Sequence, residues 1–149
     1  MVLSEQPPTP AEFIDLRARA GWGRIDEATA RRSLQAAAFS VSLRRDDRLV
    51  GFARVMGDGV LYFYLADVVI DPEFRGGGHG DALMRAITGY FDRAALPGAT
   101  ITLVAMPGRE SFYERFGFVR CPNGPFGVGT HYTRAPAPEP MDSSTVEAR

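Results

Sequence analysis

One stretch constrains this chain more than any other: Val68-Val69-Ile70-Asp71-Pro72-Glu73-Phe74-Arg75-Gly76-Gly77-Gly78-His79-Gly80-Asp81-Ala82-Leu83. Its apolar start reads as a buried strand, Asp-Pro marks a turn, an arginine and a glycine run follow, and a helical pattern begins. That order places bare backbone N–H groups at a helix N-terminus, an arrangement suited to a pyrophosphate. The plainer reading is a tight turn with no ligand. It is an expensive turn, because each glycine fixed in regular structure costs about 0.5–1 kcal/mol.

Two other glycine motifs fail against the residues. A dinucleotide fingerprint needs glycine at its first, third and sixth positions, and the sixth position counted from Gly76 is Asp81. It also needs a strand-helix-strand setting, whereas an antiparallel meander is expected before this loop. A P-loop needs lysine, and all 17 basic residues here are arginine. The same fact excludes Schiff-base chemistry by lysine. Any side-chain contact to a phosphate therefore falls to arginine, which is always charged and can bind in a bidentate way.

The net charge of -1 gives no electrostatic footprint for nucleic acid. Cys121 is the sole cysteine, so neither a disulfide framework nor a cysteine metal site is expected, and no metal-ligand cluster is visible. No apolar run reaches the length of a membrane span, and the first residues lack a basic and an apolar leader region. The expectation is a cytoplasmic protein without membrane contact.

The remaining pattern supplies the setting of the loop. Thr9-Pro10-Ala11-Glu12 is a capping box, followed by Phe13, Leu16 and Ala20 on one helical face and ended by Gly21. Asp26 caps a second helix to about Gln35. Three strands follow: Phe39 to Arg44, Leu49 to Met56 and Val60 to Ile70, with turns at Asp46-Asp47 and Gly57-Asp58-Gly59. After the loop, Ala82, Leu83, Ala86, Ile87, Tyr90, Phe91 and Ala94 share a helical face. Thr100 to Ala105 is a strand reached by a right-handed crossover. Arg109 to Phe116 is a short helix ended by Gly117, and Phe118 to Arg120 and Thr130 to Arg134 form a final strand pair. The fold class is α+β: a mixed sheet in which an antiparallel meander leads into a parallel strand-loop-helix-strand unit, with helices on both faces. Residues 1–134 are expected to form one domain, and the proline-rich segment 135–149 a flexible tail.

With these elements placed, Arg75-Gly76-Gly77-Gly78-His79-Gly80 resembles the Arg/Gln-x-x-Gly-x-Gly/Ala acyl-CoA motif of the GNAT superfamily of N-acetyltransferases, preceded by its Val-x-x-Asp-Pro. Phe112-Tyr113-Glu114-Arg115-Phe116-Gly117-Phe118 resembles that family's tyrosine-containing helix followed by Gly-Phe. Together the signals cover Leu49 to Phe118. The resemblance implies that acetyl-CoA is the acetyl donor, with its pyrophosphate on the backbone from Arg75 or Gly76 through Gly77, Gly78, His79 and Gly80. It implies that Val68, Val69 and Ile70 offer backbone groups to the pantetheine arm as an added strand would. One N–H there, of Val68 or Val69, would polarise the thioester carbonyl, an effect typically worth about 2.7–4 kcal/mol. Two residues depart from the pattern. His79 stands where an aliphatic residue is usual, and Asp81 places a carboxylate where phosphate is expected.

Individual roles stay open at this point. Tyr113 is the candidate acid that protonates the leaving thiolate; by spacing alone it is also a core aromatic beside Phe112 and Phe116. Asp67, a lone acid in an apolar strand, is a general base, an anchor for the substrate ammonium, or a carboxylate satisfying a bulge. Trp22, Tyr62 and Tyr64 line an acceptor pocket or pack in the core. Arg115 reaches a CoA phosphate or faces solvent, Glu110 caps its helix, and His131 belongs to a strand pair. The reaction implied is acetyl transfer to a primary amine of a small molecule by direct attack in a ternary complex. A peptide or protein amine is the alternative acceptor, and an acyl-CoA-binding module without chemistry is the alternative function. Dimers are common in the family, so a homodimer is compatible with the resemblance.

Overall fold

The computed structural model describes residues 1–121 and 131–134, the latter as backbone. The expected tail 135–149 lies outside the described residues. Strand β1 (Val2–Ser4) comes first, an edge strand too short to leave an alternating pattern in the sequence. Helix α1 (Pro10–Arg19) starts where the capping box predicts. The Thr9 N–H donates to Glu12 Oε2 at 2.8 Å, and the Glu12 N–H donates to Thr9 Oγ1 at 3.3 Å. Helix α2 (Glu27–Gln35) is capped by Asp26, which accepts from the Thr29 N–H at 2.9 Å.

Strands β2 (Phe39–Arg45) and β3 (Arg48–Gly57) are joined through Asp46 and Asp47, both with positive φ, the backbone of a tight hairpin turn. Strand β4 runs from Tyr62 to Ile70, two residues shorter at its start than the apolar pattern predicts. The reason is local: Asp58 Oδ1 accepts from the N–H groups of Val60, Leu61 and Tyr62 at 2.8, 2.8 and 3.0 Å, and so replaces the ladder there. After a 3-10 turn at Pro72–Phe74 come α3 (His79–Ala94), β5 (Thr100–Val104), α4 (Glu110–Glu114), β6 (Val119–Arg120) and β7 (His131–Arg134).

Among the described residues the sheet has seven strands in the order β1-β2-β3-β4-β5-β7-β6. Only the β4–β5 pair is parallel, with α3 as its crossover. One face of the sheet packs on α3, whose Leu83, Met84, Ile87 and Phe91 meet Val41, Val55, Leu65 and Leu103. The other packs on α1 and α2, where Phe13, Leu16 and Leu34 meet Leu49, Phe52 and Val69. Each such side chain contributes roughly 1.5–3 kcal/mol by leaving water.

Two irregularities in β4 shape what lies at its end. Phe52 pairs with Val69 and Arg54 with Ala66, so Asp67 and Val68 together face the single residue Ala53. This is a β-bulge, and Asp67 sits in it at φ 52°. In addition, β4 pairs with β5 only from Tyr62–Thr100 to Leu65–Leu103. Beyond Leu65 the two strands part, and the β5-facing edge of residues 66–70 has no strand partner among the described residues.

Asp71 closes β4 and anchors the glycine loop from below. Its side chain is 1% exposed. Oδ2 lies 2.8 Å from Arg48 Nη2 and 3.0 Å from Arg19 Nε, while Oδ1 accepts from the Glu73 N–H at 3.1 Å. The carboxylate thus ties the turn to α1 and β3. Removing one partner of a buried pair is costly even where replacing the whole pair is not. Asp71→Asn is therefore expected to lower the unfolding free energy by about 2–3 kcal/mol, at the low end because both arginines keep contact with water. Urea denaturation of the two proteins measures this; equal midpoints would assign the fixing of the loop elsewhere.

Candidate active site

The loop after β4 is an open cradle. Gly76 and Gly78 have φ of 84° and 75°, and a Cβ at either would meet nothing within 4 Å. These glycines answer to backbone conformation and not to internal packing, and their left-handed turns aim successive N–H groups to one side. Gly78 is the N-cap of α3 and provides no side-chain cap, so the first N–H groups of a 16-residue helix face outward with the positive end of its dipole. His79 folds back on the loop: a Cβ on Gly77 would lie 2.8 Å from its Nε2. Arg75 is turned the other way, its Nε donating to the Ile70 carbonyl at 3.2 Å.

The slot between the parted ends of β4 and β5 adjoins this cradle. Val69 is buried beneath α1 and α2, while Val68 and Ile70 pack partly buried on the α3 side. Their side chains are committed to the two cores, which leaves backbone as what they can offer to the slot. A sequence-predicted set, Val68, Val69, Ile70 and Arg75 through Gly80, is therefore contiguous along one strand end, one turn and one helix start.

Tyr113 comes from α4, with Phe112 and Phe118 packed edge-on at centroid distances of 5.0 and 6.3 Å. Burial pushes its phenol up to about 12; Arg109 opposes the rise and Tyr64 adds to it. A phenol in this setting is a proton-bearing group throughout the ordinary pH range.

On the α1/α2 face, Asp67 is held by two guanidinium groups. Arg54 Nε donates to Oδ2 at 2.6 Å, and Arg17 Nη1 stands 3.9 Å from Oδ1. Arg54 also donates to the Ser33 carbonyl at 2.7 Å and lies over the Phe13 ring. Tyr62 and Tyr64 line an open groove of about 260 Å³ with Met56, Thr100 and Thr102. Trp22 is elsewhere: half-exposed after α1, it is covered by Arg17, which donates to its carbonyl at 3.3 Å. The structure places Tyr62 and Tyr64 along one groove and Trp22 beside the Arg17–Asp67 pair.

Residues 12–131 match the acetyltransferase (GNAT) domain family. The chain belongs to the GNAT family. It is 35% identical over 112 residues to an uncharacterised N-acetyltransferase, ycf52, of Porphyra purpurea, covering 72% of this chain and 63% of that protein. It is 32% identical over 123 residues to serotonin N-acetyltransferase 2, chloroplastic, of Oryza sativa subsp. japonica, covering 78% and 60%. The chain thus spans about three fifths of the length of these relatives. Among solved structures it is similar to SA2161 of meticillin-resistant Staphylococcus aureus, a protein of unknown function named a probable acetyltransferase, with TM-score 0.76, 27% identity, and coverage of 86% and 98%. It shares its fold with a GNAT acetyltransferase of Brucella melitensis solved with acetyl-CoA, with TM-score 0.62, 18% identity, and coverage of 93% and 89%. A chloroplast protein among the relatives lends no support to a cytoplasmic location. Among the described residues no helix is long and apolar enough to cross a membrane.

Arg17 and Arg54 were not candidates from sequence, although a signal exists. Arg54 is the one charge within the apolar run that follows Arg48 in β3, and Asp67 a lone opposite charge in β4, which follows it across a hairpin. Two such charges on adjoining strands are best satisfied by each other. Arg115, left between two roles by the sequence, binds Asp81 in this GNAT chain through both oxygens.

For Tyr113 the fold favours the neutral phenol. That contribution to stability is complete below pH 10 and is lost as pH rises through about 12. Near-ultraviolet titration of the native protein is expected to give the same phenolate absorbance as Tyr113→Phe until the pH approaches about 12. An extra phenol ionising in the wild type near pH 10 would contradict the burial argument.

Proposed function

We propose that this chain transfers an acetyl group from acetyl-CoA to a primary amine of a small molecule, the amine attacking directly while both substrates are bound. The observations that carry the proposal are an open strand edge at the end of β4, a glycine cradle on an uncapped helix, and a partly buried, protonated phenol on α4. The cradle fits a diphosphate because its two left-handed glycines border open space and no side chain caps the helix terminus by a hydrogen bond. The backbone of Gly76 to Gly80 would hold that diphosphate, and residues 68–70 the arm behind it. The bound thioester supplies the acetyl group and a thiolate leaving group.

The chain's own residues do the rest. Backbone N–H groups at the bulge are fixed dipoles that need little reorganisation as negative charge develops on the carbonyl oxygen. Tyr113 gives its proton to the departing sulfur, and the proton the amine loses on forming the amide passes to solvent, from which the phenolate is reprotonated. The Tyr62–Tyr64 groove is the place for the acceptor, open to solvent and edged by aromatic rings. A small amine suits its size, and the name of the rice relative supports that acceptor class. Holding both substrates there converts the attack to an intramolecular one.

Asp67 is assigned to holding the bulge. Both its oxygens already face guanidinium groups, and its left-handed φ is one that aspartate tolerates. Asp67→Asn keeps that backbone preference and discards the ion pair, so turnover should fall without removing the acid limb of the pH–rate profile. Disappearance of that limb in the variant would instead make Asp67 the base.

Tyr113→Phe decides the central claim. Its kcat should fall by about 10²-fold or more, the lower end of general-acid effects, with little change in affinity for acetyl-CoA. The measurement is release of free CoA across a panel of small amines, amino sugars and peptide N-termini. Turnover at the wild-type rate in the variant would remove Tyr113 as the acid. Acetyl-CoA binding with no turnover on any amine would favour the binding-module alternative.

A further inference from the structure

The α1/α2 face of the sheet holds more positive charge than it balances. Asp67 stands between Arg54 and Arg17, and the three side chains are 14%, 10% and 21% exposed. Two guanidinium groups share one carboxylate, so one positive charge is left over. The carboxylate goes mainly to Arg54, whose Nε donates to Oδ2 at 2.6 Å and whose Nη1 donates to the Ser33 carbonyl at 2.7 Å. Arg17 is poorly matched. Its Nη1 is 3.9 Å from Asp67 Oδ1, beyond hydrogen-bond reach. Its Nη2 donates to the Trp22 carbonyl at 3.3 Å, and its Nε is buried with no hydrogen-bond partner among the described residues. The guanidinium lies over the rings of Phe13 and Trp22, 5.6 and 5.8 Å from their centroids. These ring contacts hold the group in place but give its N–H donors no acceptor. A guanidinium has five such donors, and leaving a buried one unpaired costs stability. A second carboxylate, taken in a two-point contact, would supply both the missing charge and the missing acceptors.

The strand register says where that carboxylate would come from. Phe63 and Leu65 enter the α3 core, so Tyr62, Tyr64 and Ala66 belong to the opposite face. On β3, Met56 pairs with Tyr64 and Arg54 with Ala66. The sheet face that carries the groove of Met56, Tyr62 and Tyr64 therefore continues, two residues or about 7 Å along, to Ala66, Arg54 and the bulge. Arg17 approaches Asp67 at that bulge. The same bulge carries the backbone N–H groups assigned above to the acetyl carbonyl. An amine held there for attack has an unmatched cation on one side and a groove edged by aromatic rings on the other.

We propose that Arg17 binds a carboxylate of the acceptor, and that the acceptor is a free α-amino acid with an apolar or aromatic side chain. Its carboxylate pairs with Arg17, its amine one carbon away sits at the bulge, and its side chain lies along Tyr62 and Tyr64. This rests on the acetyl-transfer reading and narrows its acceptor. The bond changes are those of that reading: an N–C bond forms to the acetyl carbonyl, the C–S bond breaks, and CoA leaves as the thiol. Overall the ammonium form of the amino acid releases one proton to solvent. A peptide N-terminus has an amide where the free amino acid has its carboxylate, so it does not supply the anion that Arg17 lacks.

The test is release of free CoA with acceptor pairs that differ only in the carboxylate: phenylalanine and phenethylamine, tyrosine and tyramine, leucine and isoamylamine. Phenylalaninamide and a peptide with N-terminal phenylalanine are run beside them. The proteins are the wild type, Arg17→Gln and Arg17→Lys, each with a thermal melt. In the wild type, kcat/KM should favour the amino acid over its amine by about tenfold or more in at least one pair, the size of one charge-assisted hydrogen bond. Phenylalaninamide should fall with phenethylamine. Arg17→Gln should lose most of that preference, and Arg17→Lys should keep part of it, because an ammonium cannot make the two-point contact. Equal or better use of the amine in every pair, or better use of the peptide, would overturn the proposal from the wild type alone, whatever the variants do. Equal losses on both members of a pair in Arg17→Gln would mean that Arg17 only supports the bulge, and an unchanged preference would remove it from the site; either overturns the proposal and leaves acetyl transfer standing. No CoA release with any amine would overturn the acetyl-transfer reading and this proposal together.

Discussion

A carboxylate between two guanidinium groups marks the point at which β4 leaves its neighbour. Asp67 occupies the extra position of a bulge, pairs with Arg54 at 2.6 Å, and has Arg17 at 3.9 Å. Arg54 in turn reaches the Ser33 carbonyl at the end of α2, so the bulge is tied to β3, α1 and α2 at once. A bulge bends and twists the strand that carries it. Here the bend begins just after Leu65, the last residue of β4 to pair with β5. The parted strands create a backbone edge that can accept an extended ligand arm, and the same bend sends Ile70 into the Asp71 turn. A regular β4 paired to its end would close the slot and leave the glycine loop with nothing to adjoin.

The far side of the site is set by α4, a helix of five residues that could not hold its place alone. It is fixed to the start of α3 by two contacts. A Cβ on Gly80 would lie 3.2 Å from Phe112 Cζ, so the ring rests directly on the helix backbone. One turn along, Arg115 grips Asp81. Tyr113 lies between these two residues in sequence. Its phenol is therefore positioned from the same helix terminus that would carry the diphosphate, which links the two ends of the donor site by packing.

Much of this was legible in the residues. Helix starts were readable because Thr9–Glu12 and Asp26 satisfy N–H groups by local geometry alone. The meander was readable because Asp46-Asp47 permits left-handed turns, and the parallel strand because a helix separates it from β4. The start of β4 was placed two residues early because Val60 and Leu61 are apolar; one aspartate outside the strand, Asp58, overrides that pattern. β1 left no trace because three residues carry no period. At the site, the glycines and Tyr113 carry local signals. The partners of Asp67 and Asp81 do not, since Arg54 and Arg115 are brought to them by the sheet register and by the docking of α4. Trp22 stands outside the Tyr62–Tyr64 groove, with an arginine of the preceding helix over its ring.

The glycines of the loop now separate by cause. Gly76 and Gly78 are required by left-handed backbone and border open space, while Gly80 is required by the ring of Phe112 and borders none. A turn built only to reverse the chain would not need both kinds. Below the loop, Asp71 fixes its strand end with three contacts through a carboxylate that is itself shielded from water. Above it, Gly80 and Phe112 fix its helix end. The segment between those anchors is therefore held at both ends: the N–H groups of Glu73, Phe74 and Arg75 bond within the turn, while those of Gly76, Gly77 and Gly78 make no hydrogen bond among the described residues. That is the condition for preorganised anion binding: most of the ordering cost is met in folding, and little is left for the ligand to supply.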